Sequence, residues 1–123
     1  MGDIMVLDDV EDAGVMIKRI LERKGHSVAV FTEERDALEH SRTKHVDIVV
    51  LDIKLKKISG VEVLRRIKEE RPDIEVVMLT GYPTLETAKE AMGYGAREYL
   101  VKPIDKKELE DKIAGILEDR SSA

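Results

Sequence analysis

Val46-Asp47-Ile48-Val49-Val50-Leu51-Asp52 reads as a short, mostly β-branched strand, Val46 to Leu51, that hands a carboxylate to whatever lies beyond its end. Continuous apolar strands of this kind are covered on both faces, the situation of strands in a parallel sheet flanked by helices. Working outward, Ile4-Met5-Val6-Leu7, His26–Phe31 with Val28 and Val30 on one face, Val76-Val77-Met78-Leu79 and Tyr99-Leu100-Val101 read the same way. Helical periodicity fills the gaps. Ala13, Met16, Ile17, Ile20 and Leu21 form one stripe, closed by Gly25 as a C-terminal cap. Thr32 is placed to cap a weaker helix over 33–43 carrying Ala37 and Leu38. Val61, Leu64 and Ile67 mark a third helix, ended by Pro72. Leu85, Ala88, Ala91 and Met92 mark a fourth, stopping near Gly93 and Gly95, and a capping box, Asp105-x-x-Glu108, opens a fifth through Leu109, Ile113, Ile116 and Leu117. Strands therefore begin near 4, 26, 46, 75 and 97, with spacings of 22, 20, 29 and 22 residues, one βα unit each. The expected fold is α/β, a doubly wound five-stranded parallel sheet with helices on both faces.

With 123 residues, the sequence predicts a single domain over 1–123, a core over about 4–118 and a frayed tail at 119–123. The absence of Cys excludes a disulfide scaffold, a Cys-ligated metal and a thiol nucleophile, and fits a cytoplasmic location. No apolar run approaches a membrane span, and Met1-Gly2-Asp3-Ile4 lacks the regions of a signal peptide. Lys plus Arg is 21 and Asp plus Glu is 26, a net charge of −5 that argues against nucleic acid as a direct ligand. The charge is segregated. Residues 1–12 carry Asp3, Asp8, Asp9, Glu11 and Asp12 and no base, whereas 54–71 sets seven Lys and Arg against Glu62, Glu69 and Glu70, a surplus expected to be a solvated face. The methionines read as core filler, and His26, His40 and His45, lacking metal-ligand spacing, read as structural or exposed.

In an open α/β sheet the ligand crevice lies beyond the carboxyl ends of the strands. The first strand delivers Asp8-Asp9 there, the third Asp52, the fourth Thr80-Gly81 and the fifth Lys102-Pro103. Three carboxylates brought together repel one another, by roughly 4 kcal/mol per pair at 4 Å and an effective dielectric of 20. A hard divalent cation resolves this, and a few oxygen ligands with room for water and phosphate suit Mg2+. A phosphoryl group would then meet metal on one side and Thr80 and Lys102 on the others, the positioning-plus-charge arrangement of phosphoryl transfer. Asp52 itself is a possible acceptor, giving an acyl phosphate.

The motifs Met5-Val6-Leu7-Asp8-Asp9, Val49-Val50-Leu51-Asp52-Ile53-Lys54-Leu55, Gly60, Val77-Met78-Leu79-Thr80-Gly81-Tyr82 and Gly95-Ala96-Arg97-Glu98-Tyr99-Leu100-Val101-Lys102-Pro103, in this order, resemble the response-regulator receiver domain of two-component signalling. The resemblance covers about residues 4–118. It implies the flavodoxin-like strand order 2-1-3-4-5. It implies Asp52 as phosphoacceptor from the phosphohistidine of a sensor kinase or phosphotransfer protein. It implies Asp9 as a direct Mg2+ ligand, Asp8 acting mainly through water, and the Lys54 backbone carbonyl completing a metal set with Asp52. Thr80 becomes the switch hydroxyl, Tyr99 the aromatic that turns inward with it, and Lys102 the ammonium on the phosphoryl group. The output face is helix four, strand five and helix five, addressed to a downstream effector by a monomer or a phosphorylation-dependent dimer. The Lys102–Pro103 bond is expected to be cis. Two positions depart from the family pattern: Lys56, where many receivers carry Pro, and Val10, where an acidic residue is frequent.

Other chemistries are disfavoured by particular residues. A haloacid-dehalogenase-type phosphatase also uses a strand-end Asp and Mg2+, but needs an acid two residues on, where Lys54 stands. A flavodoxin-like electron carrier needs a hydroxyl- and Gly-rich phosphate loop, and Asp8-Asp9-Val10-Glu11-Asp12 would repel phosphate. The P-loop pattern is absent. The remaining alternative is a receiver-shaped interaction module that phosphorylation does not regulate.

Overall fold

The computed structural model describes residues 1–122. Its elements alternate: β1 (Asp3–Leu7), α1 (Glu11–Glu22), β2 (Ser27–Phe31), α2 (Glu34–Thr43), β3 (Ile48–Asp52), α3 (Gly60–Glu70), β4 (Glu75–Thr80), α4 (Leu85–Gly93), β5 (Glu98–Val101) and α5 (Lys106–Ser122). β3 is buried at every position, as its apolar run requires. All pairings are parallel, in the order β2-β1-β3-β4-β5.

Strand side chains alternate across the sheet and so build two cores. Met5, Leu7, Val49, Leu51, Val76 and Met78 face α2, α3 and α4 through Leu38, Leu64, Ile67 and Ala91. Ile4, Val6, Ile48, Val50, Val77 and Leu79 face α1 and α5 through Ile17, Leu21, Leu109 and Ile113. The division follows from right-handed crossovers. The chain steps one way from β1 to β2 and the other way ever after, so α1 lands on one face and α2 to α4 on the other. That reversal opens a crevice at the carboxyl ends of β1 and β3.

Several details differ from the sequence expectations. Glu33, with extended backbone, occupies the N-cap of α2 and makes no side-chain cap bond; Thr32 lies one residue too early to serve. The α4 stripe is largely uncovered: only Ala91 is buried, while Leu85 is 72% and Met92 51% exposed, because α4 packs mainly on α3 and β5 at the rim of the sheet. Met5 and Met78 fill the core, but Met1, Met16 and Met92 are exposed. Helix α5 continues through residues 119–122 instead of fraying, since Asp119 pairs with Arg97, and Arg120 donates to the Asp73 carbonyl and reaches Asp47; Ala123 lies outside the described residues. Asp105 caps α5 as expected, its Oδ1 accepting from the Lys107 and Glu108 amides. Gly25, at φ +92°, closes α1 in the left-handed region. The Lys102–Pro103 bond is cis.

The basic surplus of 54–71 is largely consumed locally. Arg65 and Arg66 pair with Glu62, Arg65 also with Glu69, and Arg71 with Asp73; Lys68 closes α3 on the Pro72 and Ile74 carbonyls. At the opposite end of the sheet from the crevice, His45 sits between Asp3 of β1 (Nδ1 to Oδ2, 2.7 Å) and Asp47 before β3 (Nε2 to Oδ1, 3.4 Å), with Arg120 of α5 also on Asp47. The hydrogen bond to Asp3 and the charge of Asp47 hold the His45 pKa above its ordinary value, against burial and Arg120. A pKa raised by folding means stability gained from the protonated form, complete below the unfolded pKa and lost as pH rises through the folded one. His45→Gln is therefore expected to lower the thermal midpoint at about pH 5.5, below the ordinary His range, and to leave it nearly unchanged above about pH 8. Melting curves of both proteins across that interval check it.

Candidate functional site

Four of the strands deliver a residue to the crevice at or just beyond their carboxyl ends. Asp8 follows β1 and is 1% exposed; Asp52 ends β3 at 7%; Thr80 ends β4 at 1%. Asp9 is half-buried beside them, and Lys102 follows β5. Asp8, Asp9 and Asp52 each present a carboxylate oxygen within 4.8 Å of the others. Lys102 Nζ lies 3.0 Å from Asp8 Oδ2 and 3.3 Å from Asp52 Oδ2.

Local turns orient these groups. The Val10 amide donates to Asp8 Oδ1 at 2.9 Å, and the Lys54 amide donates to Asp52 Oδ1 at 3.1 Å. Asp52 thus has one oxygen held by backbone and the other turned to Lys102. Gly60, at the start of α3, is the buttress behind it. Its amide donates to the Ile53 carbonyl at 2.7 Å, and a Cβ there would stand 2.1 Å from the Asp52 carbonyl oxygen and 2.6 Å from Ile53 Cα. The atoms it would meet are backbone of the 52–53 segment, which cannot yield as a flexible side chain would. Gly60→Ala is accordingly expected to destabilise the fold by about 2–3 kcal/mol, the cost of overpacking a tight site, read as a lowered urea midpoint at unchanged slope.

Electrostatically the site is overloaded with negative charge. Burial, then the charge of Asp8, push the Asp52 carboxyl above its ordinary pKa, more than the Lys54 amide and Lys102 pull it down. Burial draws the Lys102 ammonium down, but its contacts with Asp8 and Asp52 outweigh this and hold it above the usual Lys value. One ammonium against three carboxylates leaves a deficit of positive charge. An all-oxygen set of this kind fits a hard divalent cation such as Mg2+.

Thr80 and Tyr99 make hydrogen bonds outside the carboxylate cluster. The Thr80 hydroxyl accepts from the Tyr82 amide at 3.0 Å. The Tyr99 hydroxyl, half-buried against the α3–α4 side of the sheet, lies 2.8 Å from Thr87 Oγ1 on α4. Thr87 was not singled out from the sequence, where it is one polar residue in a weak stripe. At the mouth, Lys54 Nζ sits 4.2 Å from the centroid of the Tyr82 ring, which is 71% exposed. Both side chains line, with Thr80, Thr87 and the 53–59 loop, a cavity of about 390 Å3.

The family model described as the response regulator receiver domain matches residues 4–114. The chain belongs to that family. This receiver domain is 37% identical over 103 residues to the transcriptional regulatory protein ZraR of Escherichia coli K12, covering 84% of this chain and 23% of the relative. The chain thus spans about a quarter of the length of the curated relatives it matches first. In three dimensions it is similar to a CheY-like receiver domain protein of Methanospirillum hungatei, with a TM-score of 0.95 at 28% identity, covering 99% of this chain and 98% of the other. It is also similar to a Burkholderia pseudomallei response regulator solved with a phosphorylated aspartic acid and a calcium ion, with a TM-score of 0.86 at 26% identity, covering 99% and 72%. The strand order is that of the CheY-like, flavodoxin-like receiver fold. Among the described residues, no helix is long and apolar enough to cross a membrane.

Proposed function

We propose that this receiver domain takes a phosphoryl group from the phosphohistidine of a sensor kinase or phosphotransfer protein onto Asp52, in a Mg2+-dependent reaction. The observation that carries the reading is the convergence of Asp8, Asp9, Asp52 and Lys102 in the crevice where the strand order reverses. Asp9 and the Asp52 carboxylate would hold the cation directly with the Lys54 carbonyl, and Asp8 would support them from behind. When bound, the cation offsets the repulsion among the carboxylates and the charge of the incoming phosphoryl group. An Asp52 carboxylate oxygen forms the new bond to phosphorus. The phosphorus–nitrogen bond of the donor breaks, its electron pair stays on the imidazole, and the imidazole takes up a proton from solvent. Lys102, already between Asp8 and Asp52, binds the transferred oxygens. Thr80 then exchanges its Tyr82 amide for a phosphoryl oxygen, Tyr99 follows, and the face made by α4, β5 and α5 changes for a downstream effector.

The similarity to a protein that carries a phosphorylated aspartic acid supports the acyl-phosphate product. The proposal extends to this domain working in the cytoplasm, without itself contacting nucleic acid or membrane, as a monomer or a phosphorylation-dependent dimer. Incubation with acetyl phosphate and Mg2+ is expected to add about 80 Da, one HPO3, and chelation to prevent it. Amide exchange is expected to change over residues 80–103 in the phosphorylated protein, where Gly81, Gly93 and Gly95 make local opening cheap. No mass gain from either acetyl phosphate or a phosphorylated kinase would favour the unregulated interaction module instead.

A further inference from the structure

Four oxygens and one amide meet at the first turn of α4. Thr84 is the N-cap, and its Oγ1 accepts from the Thr87 amide at 3.0 Å. Thr87 Oγ1 stands 2.9 Å from Thr84 Oγ1, 3.2 Å from the Thr84 carbonyl oxygen and 2.8 Å from the Tyr99 hydroxyl. Counting protons orders the network. The carbonyl only accepts, so Thr87 spends its single hydroxyl proton there, and the Tyr99 hydroxyl donates to Thr87 Oγ1. Three residues upstream of Thr84, Gly81 is exposed and unhindered, and one further back Thr80 Oγ1 is tied to the Tyr82 amide. A continuous path therefore runs from the Thr80 hydroxyl through Tyr82 and the helix cap to the Tyr99 ring.

We infer that Thr87 is the positioning residue that couples Tyr99 to the β4–α4 segment, its hydroxyl binding the Tyr99 hydroxyl and the first turn of α4 into one unit that Thr80 moves. The inference rests on the phosphoacceptor reading above and assigns a residue that reading does not use. It is separable from plain capping. The cap bond is made by the Thr87 backbone amide, so Thr87→Val keeps the cap, the β-branch and nearly the volume, and removes the link to Tyr99 together with the hydroxyl's local bonds to Thr84. Thr84→Ala does the reverse, weakening the cap at its side chain.

The test uses the intact chain with its tyrosines isotopically labelled, the Tyr99 ring signals assigned through Tyr82→Phe and Tyr94→Phe. Acetyl phosphate and Mg2+ are the probe, and the mass gain is followed in parallel. Thr87→Val is expected to gain mass within about twofold of the parent rate, while the Tyr99 ring shift on phosphorylation falls below roughly a third of the parent's, and Thr87→Ser restores it. Tyr99→Phe, which leaves α4 untouched, should reduce the phosphorylation response of the 85–93 amides as Thr87→Val does, and the double variant should lose no more than either single one. A full Tyr99 response in Thr87→Val, or additive losses in the double variant, overturns the inference with phosphorylation intact. A parent chain that gains no mass overturns the phosphoacceptor reading, and the coupling falls with it.

Discussion

Asp52→Asn is expected to abolish the phosphorylation mass gain while preserving the fold. The substitution is nearly isosteric, and its amide oxygen still accepts from the Lys54 amide, the bond that orients the native carboxylate. What disappears is the anionic oxygen that would attack phosphorus in the proposed reaction, for which a neutral amide is a poor substitute. No other group replaces it. Asp8 is buried behind Asp52 with one oxygen on the Val10 amide and the other on Lys102. In the proposed reaction Asp9 is committed to the cation. Stability should move the other way. Asp52 is almost fully buried and faces Asp8, and Lys102 keeps Asp8 as partner when Asp52 is neutralised. In chelator, roughly 1 kcal/mol of relieved repulsion would raise the thermal midpoint by about 3–5 °C for a domain of this size. Intact-protein mass spectrometry and a melting curve check the two halves. Labelling of Asp52→Asn at the parent rate would move the acceptor elsewhere, and a lowered midpoint would mean that the carboxylate does more for the fold than its surroundings suggest.

The fold and the carboxylate cluster were legible because both follow from pattern and topology alone. Apolar runs such as Val49-Val50-Leu51 demand cover on both faces, parallel strands put all their carboxyl ends at one rim, and whatever residue follows each run is delivered there. Asp8, Asp52, Thr80 and Lys102 needed no further information. Burial of helix faces is a different kind of quantity. Met16, Leu85 and Met92 fall in helical register, yet they are exposed, because a period says which side is apolar and not how far the neighbouring element reaches. Contacts between residues distant in the chain were equally hidden. The hydrogen bond of Thr87 to Tyr99, the clasp of Asp3 and Asp47 on His45, and the Arg120 contacts that keep α5 helical to Ser122 depend on packing distances that no local motif encodes.

The lifetime of the proposed acyl phosphate is set at the mouth of the same crevice. Hydrolysis requires a water in line with the breaking phosphorus–oxygen bond, on the side away from Asp52. Lys54, two residues beyond Asp52, and Tyr82, two beyond Thr80, are expected to flank that approach, since they share a cavity with Thr80 and the ammonium lies 4.2 Å over the Tyr82 ring. A cation–π pair of this kind contributes about 0.5–1 kcal/mol at an exposed site, enough to bias two long side chains toward one another. Together they narrow the opening and leave less room for an aligned water. Lys54 could in principle act oppositely, by holding a water, but an ammonium engaged with the ring face is turned toward the ring. Lys54→Ala and Tyr82→Ala are each expected to speed the loss of phosphate from Asp52 by about threefold to tenfold, roughly 0.7–1.4 kcal/mol of barrier. Because the pair shields as a unit, the double variant should exceed the faster single one by less than the product of the two effects. Decay of the phosphorylated mass after removal of the donor measures all three rates. Slower decay in either single variant would show that the residue assists hydrolysis, and the shielding argument would fail there.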